Sequence, residues 1–474
     1  MTRLSDSVAR ATALLSEGDL SSDATVAELL SVTGARRVLD LSDLDARQQA
    51  QLIAGRTVEV LPSADVLGEA IAAAGRPLRI KFGIDPTGAE VHLGHAVPMI
   101  LLSRFQRMGH QIVLIIGDIT AKIGDPSGRS TERPPLTDAD IAEHLSTYQN
   151  QIAPFFDFSR AEYRHNSEWL AEIKLPELLE ILSRIPVSSS LQREDFRSRL
   201  AEGQGLAMSE FLYSVVMAID SAKISADVEI GGLDQLLNMQ MGRKVMEIVG
   251  QRPQLVVANP LIEGTDGTGA KMSKSRGNHI PLTAPATEIF GKVMSIPDRL
   301  IVPYLKAWSE WTDPEIDVVT ARMAAGTLHP MDAKRILAGE AATALHGVDA
   351  AMAARRAFTA QFSARTFGDV ESMPFVLLAE HGTAVIGAVL SQTLGFAPSV
   401  SAVRRLAKQN GLRFVVEDDR GQRSTVIDEG GVLRPLGELA AEVLQQAGVD
   451  EAGIKAEDCR LYLKVGRRVA RVQP

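Results

Sequence analysis

Apolar positions recur at helical spacing near the start of the chain, as in Val8, Ala11, Leu14 and Leu15, and residues 1–75 read as a helical N-terminal extension whose function is not legible, with packing or covering a dimer face as the default role. The texture changes at about residue 76. Leu78–Ile84 reads as a strand, Asp85-Pro86-Thr87-Gly88 breaks it, and an apolar helical stretch follows from Gly94 to Met108. Gln111–Asp118 is then a nearly all-apolar run ending in Gly and Asp, the pattern of a strand buried on both faces of a parallel sheet. Strand, helix and strand in close succession make a βαβ unit. Its ligands are expected at the carboxyl ends of the strands, where Asp85-Pro86-Thr87 and Asp118-Ile119-Thr120 lie. Residues 137–222 read as mainly helical. Asp227–Gly232 and Gln254–Ala258 read as further strands, and residues 285–365 as helical with Ala-rich stretches such as Ala333–His346. Pro374, Gly382, Gly387, Gly395 and Pro398 mark 366–398 partly as a linker. From 399 a new unit begins, with a helix at Ser399–Lys408, a second at Leu436–Val449 and a basic hairpin at Leu461–Val472. The pattern predicts an α/β chain: an extension (1–75), a parallel-sheet domain (76–284), a helical domain and linker (285–398), and a small α+β domain (399–474).

Composition narrows the setting. A chain of 474 residues is too long for one ordinary core, so several domains are expected. The net charge of 50 − 59 = −9 excludes a basic surface as a whole, so any nucleic acid must be held at local clusters of Lys and Arg. The single cysteine, Cys459, excludes an intrachain disulfide and a cysteine-rich zinc site, and fits a reducing cytosol. No signal-peptide core and no apolar run of membrane-spanning length is seen, which predicts a cytoplasmic protein without a membrane partner.

Two segments carry chemistry. His92-Leu93-Gly94-His95 sets two imidazoles three residues apart at the expected start of a helix, where free N–H groups favour anions. Gly94 lets a ligand approach the backbone. Such histidines can donate to phosphate oxygens as charge grows in a transition state. A zinc pair or hydrogen-bonded core histidines are the other readings, and no further metal ligands are evident nearby. Lys271-Met272-Ser273-Lys274-Ser275 follows the glycine-rich Gly264-Thr265-Asp266-Gly267-Thr268-Gly269. It reads either as a movable cationic clamp for a leaving pyrophosphate or as a solvated surface loop.

Together, in this order and about 175 residues apart, the two segments resemble the paired signatures of class I aminoacyl-tRNA synthetases. Four more blocks narrow the resemblance: Gly83-Ile84-Asp85-Pro86-Thr87, Gly124-Asp125-Pro126-Ser127-Gly128-Arg129, Glu210-Phe211-Leu212-Tyr213 and Gly231-Gly232-Leu233-Asp234-Gln235. The series is similar to the tyrosyl-tRNA synthetase family, in its bacterial branch with a Lys-Met-Ser-Lys-Ser loop, strongly from Arg56 to Leu305 and more loosely beyond. The resemblance implies a Rossmann-type catalytic domain that joins tyrosine to ATP and passes the tyrosyl group to tRNA(Tyr). It also implies a homodimer. ATP would arrive with Mg²⁺ as substrate, with no tightly bound cofactor and no protein metal ligands. It implies roles as well. Asp85, Thr87, His92, Gly94 and His95 would line the ATP and adenylate site, and Gly232 and Asp234 would meet the ribose. Asp125, Tyr213 and Gln235 would surround the amino and carboxylate end of the amino acid, with Asp220 accepting from the phenol. Arg129, Arg133, Lys271 and Lys274 would hold pyrophosphate; Thr87, His92, His95, Lys271 and Lys274 are the catalytic candidates.

The sequence departs from the family in its amino-acid half. Met217 stands where Gln is usual, Ile219 where an aromatic is common, Ala121-Lys122 where Gly and an apolar residue are usual, and Lys81 where one branch has a Tyr touching the phenol. These departures leave an alternative open: a paralogue that activates a modified tyrosine for small-molecule biosynthesis or resistance. The C-terminal unit resembles an S4-like RNA-binding domain, with Arg404, Arg405 and Lys408 on its helix and Lys464, Arg467 and Arg468 in its hairpin as the expected RNA contacts. The stretch from Arg420 to Asp458 is longer than expected between those two elements.

Overall fold

The computed structural model describes residues 3–85, 91–124, 137–191, 193–203, 205–362, 374–409, 411–418, 421–448, 459–465 and 468–473. The chain forms two compact units, Met1–Arg355 and Arg356–Pro474.

The first unit is built on a six-stranded sheet. Its strands are β1 (Glu59–Leu61), β2 (Arg79–Ile84), β3 (Gln111–Ile116), β4 (Glu162–His165), β5 (Val228–Gly232) and β6 (Leu255–Asn259), in the order β1-β6-β5-β2-β3-β4. All neighbours run parallel except β1, which lies antiparallel on β6. The order reverses between β2 and β5. In an open parallel sheet such a switch point opens a crevice at the strands' carboxyl ends, because the crossover helices on its two sides cover opposite faces. The run Ile112–Ile116 is buried on both faces, at roughly 1.5–3 kcal/mol per aliphatic side chain. The helix Leu93–Arg107 that links β2 to β3 is buried nearly all round, including Val97, Met99, Leu102 and Phe105. Residues 137–222 are mainly helical as read, except for β4, which pairs with β3.

The N-terminal residues are part of this unit. Helices Arg3–Glu17 and Asp23–Ala35 precede a buried Arg36, whose guanidinium meets Glu315 at 2.7 Å. Thr33 donates to Glu340 at 2.5 Å. Burial alone would raise Glu310, yet Arg104, Arg107 and Arg37 hold its carboxyl down at about 2. Buried charge of this kind is tolerated only where each group is matched, so the extension is locked to the residues around 310–340 by partners it cannot exchange for water.

The second unit carries β7 (Phe375–Leu377), β8 (Leu412–Asp418), β9 (Gly421–Val426), β10 (Arg460–Val465) and β11 (Arg468–Gln473), in the order β7-β11-β10-β8-β9. Residues read partly as a linker thus supply β7, which lies parallel to β11. Leu412, Phe414, Val416, Leu461, Leu463 and Val465 form one face of the sheet. They pack with Val403 of the helix Val400–Lys408 and with Leu439 and Val443 of the helix Leu436–Gln446. Among the described residues no helix is long and apolar enough to cross a membrane.

Candidate active site

A cavity of about 670 Å³ opens at the carboxyl ends of β2, β3, β5 and β6. Asp85, directly after β2, accepts from Thr120 Oγ1 and from the Tyr213 hydroxyl, each at 2.8 Å. The approach requires Gly117 at the end of β3, since a Cβ there would lie 1.9 Å from Asp85 Oδ1.

His92 caps the helix Leu93–Arg107. Its Nδ1 accepts the Gly94 N–H at 3.2 Å, and His95 Nδ1 accepts the His92 N–H at 3.2 Å. A Cβ on Gly94 would press on the His92 ring at 3.0 Å. The two rings stand 3.9 Å apart. Burial pulls His92 down to about 3, helped by the neighbouring His95. Loss of water pulls His95 down to about 4, helped by the Lys271 and Lys274 ammonium groups. Both imidazoles are therefore neutral at pH 7. With each Nδ1 accepting from backbone, each carries its proton on Nε2 and offers one donor there. Among the described residues no group of three or more His, Cys, Asp or Glu is arranged to hold a metal ion.

The lysine-rich loop closes the same end. Lys271 lines the cavity and meets Asp234 Oδ2 at 3.1 Å, so the ribose candidate and the loop are joined in this state. Met272 is buried and anchors the loop, and the Ser273 N–H donates to Asn278 at 2.8 Å. Lys274 begins the turn Lys274–Arg276 and does not line the cavity; its charge acts on both histidines.

The helix Met208–Lys223 supplies another part of the lining. Tyr213, Met217 and Asp220, spaced four and three residues apart, share one face and line the cavity. Asp220 is buried and accepts from Trp169 Nε1 at 2.8 Å. Burial pushes its carboxyl up to about 7, against the charge of Lys81 and hydrogen bonds from Trp169 and Asn166. Lys81 is fully buried, paired with Glu229 at 2.7 Å and donating to Ser221 Oγ at 2.8 Å. Ile219 packs in the apolar core between helix and sheet, so its departure from the family does not reach the cavity. Gly232, the last residue of β5, and Gln235, in the turn that follows, line the cavity. Thr87, Asp125, Arg129, Arg133 and Arg467 lie outside the described residues.

Sequence reasoning missed Trp169, Asn166 and the Lys81–Glu229 pair. Asn166 accepts the Ile119 N–H at 3.0 Å and donates to Thr120 at 3.1 Å, bracing the turn after β3. Its signal was weak because β4, which delivers it, reads Glu-Tyr-Arg-His and has no apolar alternation.

In the second unit Arg404, Arg405 and Lys408 are exposed on their helix. The described basic residues of the hairpin divide between the two faces of the sheet, Lys464 and Arg471 sharing one of them. Lys464 pairs across from Arg413 and Val469, on the face away from the core, whereas Arg468 has the opposite parity and donates to the Gly395 carbonyl at 2.6 Å.

Comparison with known proteins decides the family. The family described as tRNA synthetases class I (W and Y) matches residues 73–363. The tyrosine–tRNA ligase of Thermotoga maritima is 40% identical over 79% of this chain and 94% of its own length. That of Symbiobacterium thermophilum is 42% identical over 73% and 84%. The chain belongs to the tyrosyl-tRNA synthetase family. Two solved structures share the fold: a C-terminally truncated mitochondrial tyrosyl-tRNA synthetase of Aspergillus nidulans (TM-score 0.54, 20% identity, 67% of this chain and 94% of that one) and the Archaeoglobus fulgidus tyrosyl-tRNA synthetase complexed with L-tyrosine (TM-score 0.52, 22% identity, 65% and 100%).

Proposed function

We propose that the chain is a tyrosine–tRNA ligase that forms tyrosyl-adenylate from tyrosine and ATP and transfers the tyrosyl group to tRNA(Tyr). The observation that carries this reading is one cavity lined both by a buried carboxylate, Asp220, and by the His92/His95 pair with Lys271. Asp220 is placed to accept from a phenol hydroxyl. Tyr213 and Gln235, with Asp125, hold the amino and carboxylate end. A tyrosine carboxylate oxygen attacks the α-phosphorus of ATP, the P–O bond to pyrophosphate breaks, and pyrophosphate departs. No side chain need act as nucleophile, so catalysis is orientation and electrostatic stabilisation. His92 and His95 donate through Nε2–H to phosphate oxygens, with Thr87 beside them. Lys271 leaves Asp234 for the phosphates, freeing that carboxylate for the ribose hydroxyls, and Lys274, Arg129 and Arg133 meet the pyrophosphate. Mg²⁺ enters on the ATP phosphates, held mostly by them and by water.

The exposed basic residues Arg404, Arg405 and Lys408, with Lys464, serve as tRNA contacts. Leu175, Leu179, Val187, Leu200 and Met208, all exposed in the stretch from β4 to the start of the helix Met208–Lys223, are the apolar residues that meet a second copy of the chain, as a homodimer. The enzyme works in the cytoplasm. The test is ATP–pyrophosphate exchange across a panel of amino acids, followed by tRNA charging. Tyrosine should support both; phenylalanine working as well as tyrosine would remove Asp220 from its role.

A further inference from the structure

We propose that Arg193, acting through Asn238, fixes the amide of Gln235 so that it meets the substrate carboxylate with its NH₂ group. The inference rests on the tyrosine-activating reading above. It starts from a one-way chain of hydrogen bonds. Arg193 precedes the helix Glu194–Ala201 and is buried, its guanidinium 4.9 Å from the centre of the Phe196 ring. Its Nη1 lies 2.9 Å from Asn238 Oδ1. Asn238 is 1% exposed, and its Nδ2 lies 2.6 Å from Gln235 Oε1.

Amide oxygens and nitrogens are alike in shape, so their assignment rests on partners. Here chemistry settles it. A guanidinium only donates. Asn238 must therefore turn its oxygen to Arg193 and its NH₂ to Gln235, and Gln235 must accept with Oε1. What Gln235 can offer a substrate is then its NH₂. A carboxylate only accepts, so the matched group of tyrosine is the carboxylate that attacks ATP. An unanchored amide could instead present its carbonyl, which would repel that carboxylate. Arg193 and Asn238 are positioning residues, since neither lines the cavity and Gln235 does.

The test is Asn238→Asp, nearly isosteric. An aspartate still accepts from Arg193 but has no N–H for Gln235, which must give it NH₂ and turn Oε1 to the cavity. Binding is measured for two ligands: tyrosine and tyrosinol, whose hydroxyl can donate where tyrosine has a carboxylate. Tyrosine should bind roughly tenfold or more weakly to the variant, and tyrosinol within about twofold of wild type. Arg193→Met, which removes the guanidinium donor to Asn238 Oδ1, should shift the tyrosine-to-tyrosinol ratio in the same direction by less, and Arg193→Lys should restore it. These two variants decide the matter if Asn238→Asp does not fold. Parallel loss of both ligands, as a packing role alone would give, overturns the inference, and so does no loss of either. Wild-type protein that binds neither ligand overturns the tyrosine reading itself, and this inference with it.

Discussion

Asp220 is asked to recognise a phenol from a site that disfavours its charge, and Asp220→Asn separates the two effects. The side chain is 3% exposed. The groups facing it are the Lys81 ammonium from β2, Asp85 beyond the end of β2, and Trp169 and Asn166 after β4. With these included its pKa is about 7 in the folded chain, against about 3.9 for an unperturbed aspartate. The folded value is the higher one, so the folded state binds the proton more tightly. The stability cost is absent below about pH 4, grows between about pH 4 and pH 7, and is complete above pH 7. Three units at about 1.36 kcal/mol each set an upper bound of about 4 kcal/mol, and local relaxation reduces it to roughly 2–4. Asparagine keeps an oxygen for Trp169 Nε1 and carries no charge. Unfolding of wild type and variant should be followed from pH 4.5 to pH 8.5. The variant should gain about 2–4 kcal/mol relative to wild type across that range, while its preference for tyrosine over phenylalanine in pyrophosphate exchange collapses. A stability difference that does not change with pH would refute the assigned ionisation. Retained discrimination would refute the phenol contact.

Lys274→Ala should lower the rate of adenylate formation by about a hundredfold or more while tyrosine affinity stays near wild type, because the lysine meets charge that develops only in the transition state; stopped-flow single turnovers with a separate binding titration check it. Arg36→Met should cost about 3–5 kcal/mol by stranding Glu315 in the interior, and adding Glu315→Gln should recover part of that in denaturant titrations. Arg404→Glu with Arg405→Glu should leave pyrophosphate exchange intact, weaken tRNA binding and flatten its salt dependence by about one to two units of slope; an unchanged slope would remove this helix from the contact. Met217→Gln should improve tyrosine use by roughly tenfold if an amide at this cavity-lining position reaches the substrate's charged end; unchanged kinetics would show that it does not.

The sequence by itself was enough for the βαβ unit, since the short apolar run Gln111–Asp118 ending in Gly and Asp suits a strand buried on both faces, and for finding the two chemistry-bearing segments, whose residues are neighbours in the chain. His92 and His95 are local in this sense: each is pinned by backbone of its own helix turn, so their spacing already contained their geometry. What joins residues far apart could be decided only by the tertiary structure. Asp220 receives its hydrogen bond from Trp169, delivered by a polar edge strand that has no periodic signature. Lys81, which the sequence placed near the phenol, is matched by Glu229 of the adjacent strand while its charge also acts on Asp220. The hairpin's basic residues looked like one cluster, yet strand parity sends Lys464 and Arg468 to opposite faces. The N-terminal extension had no legible role because its partners, Glu315 and Glu340, lie some 300 residues along the chain. A pattern in sequence records which residues must be buried; which charges and donors are buried against each other depends on strand order and packing, and these are fixed only when the sheet assembles.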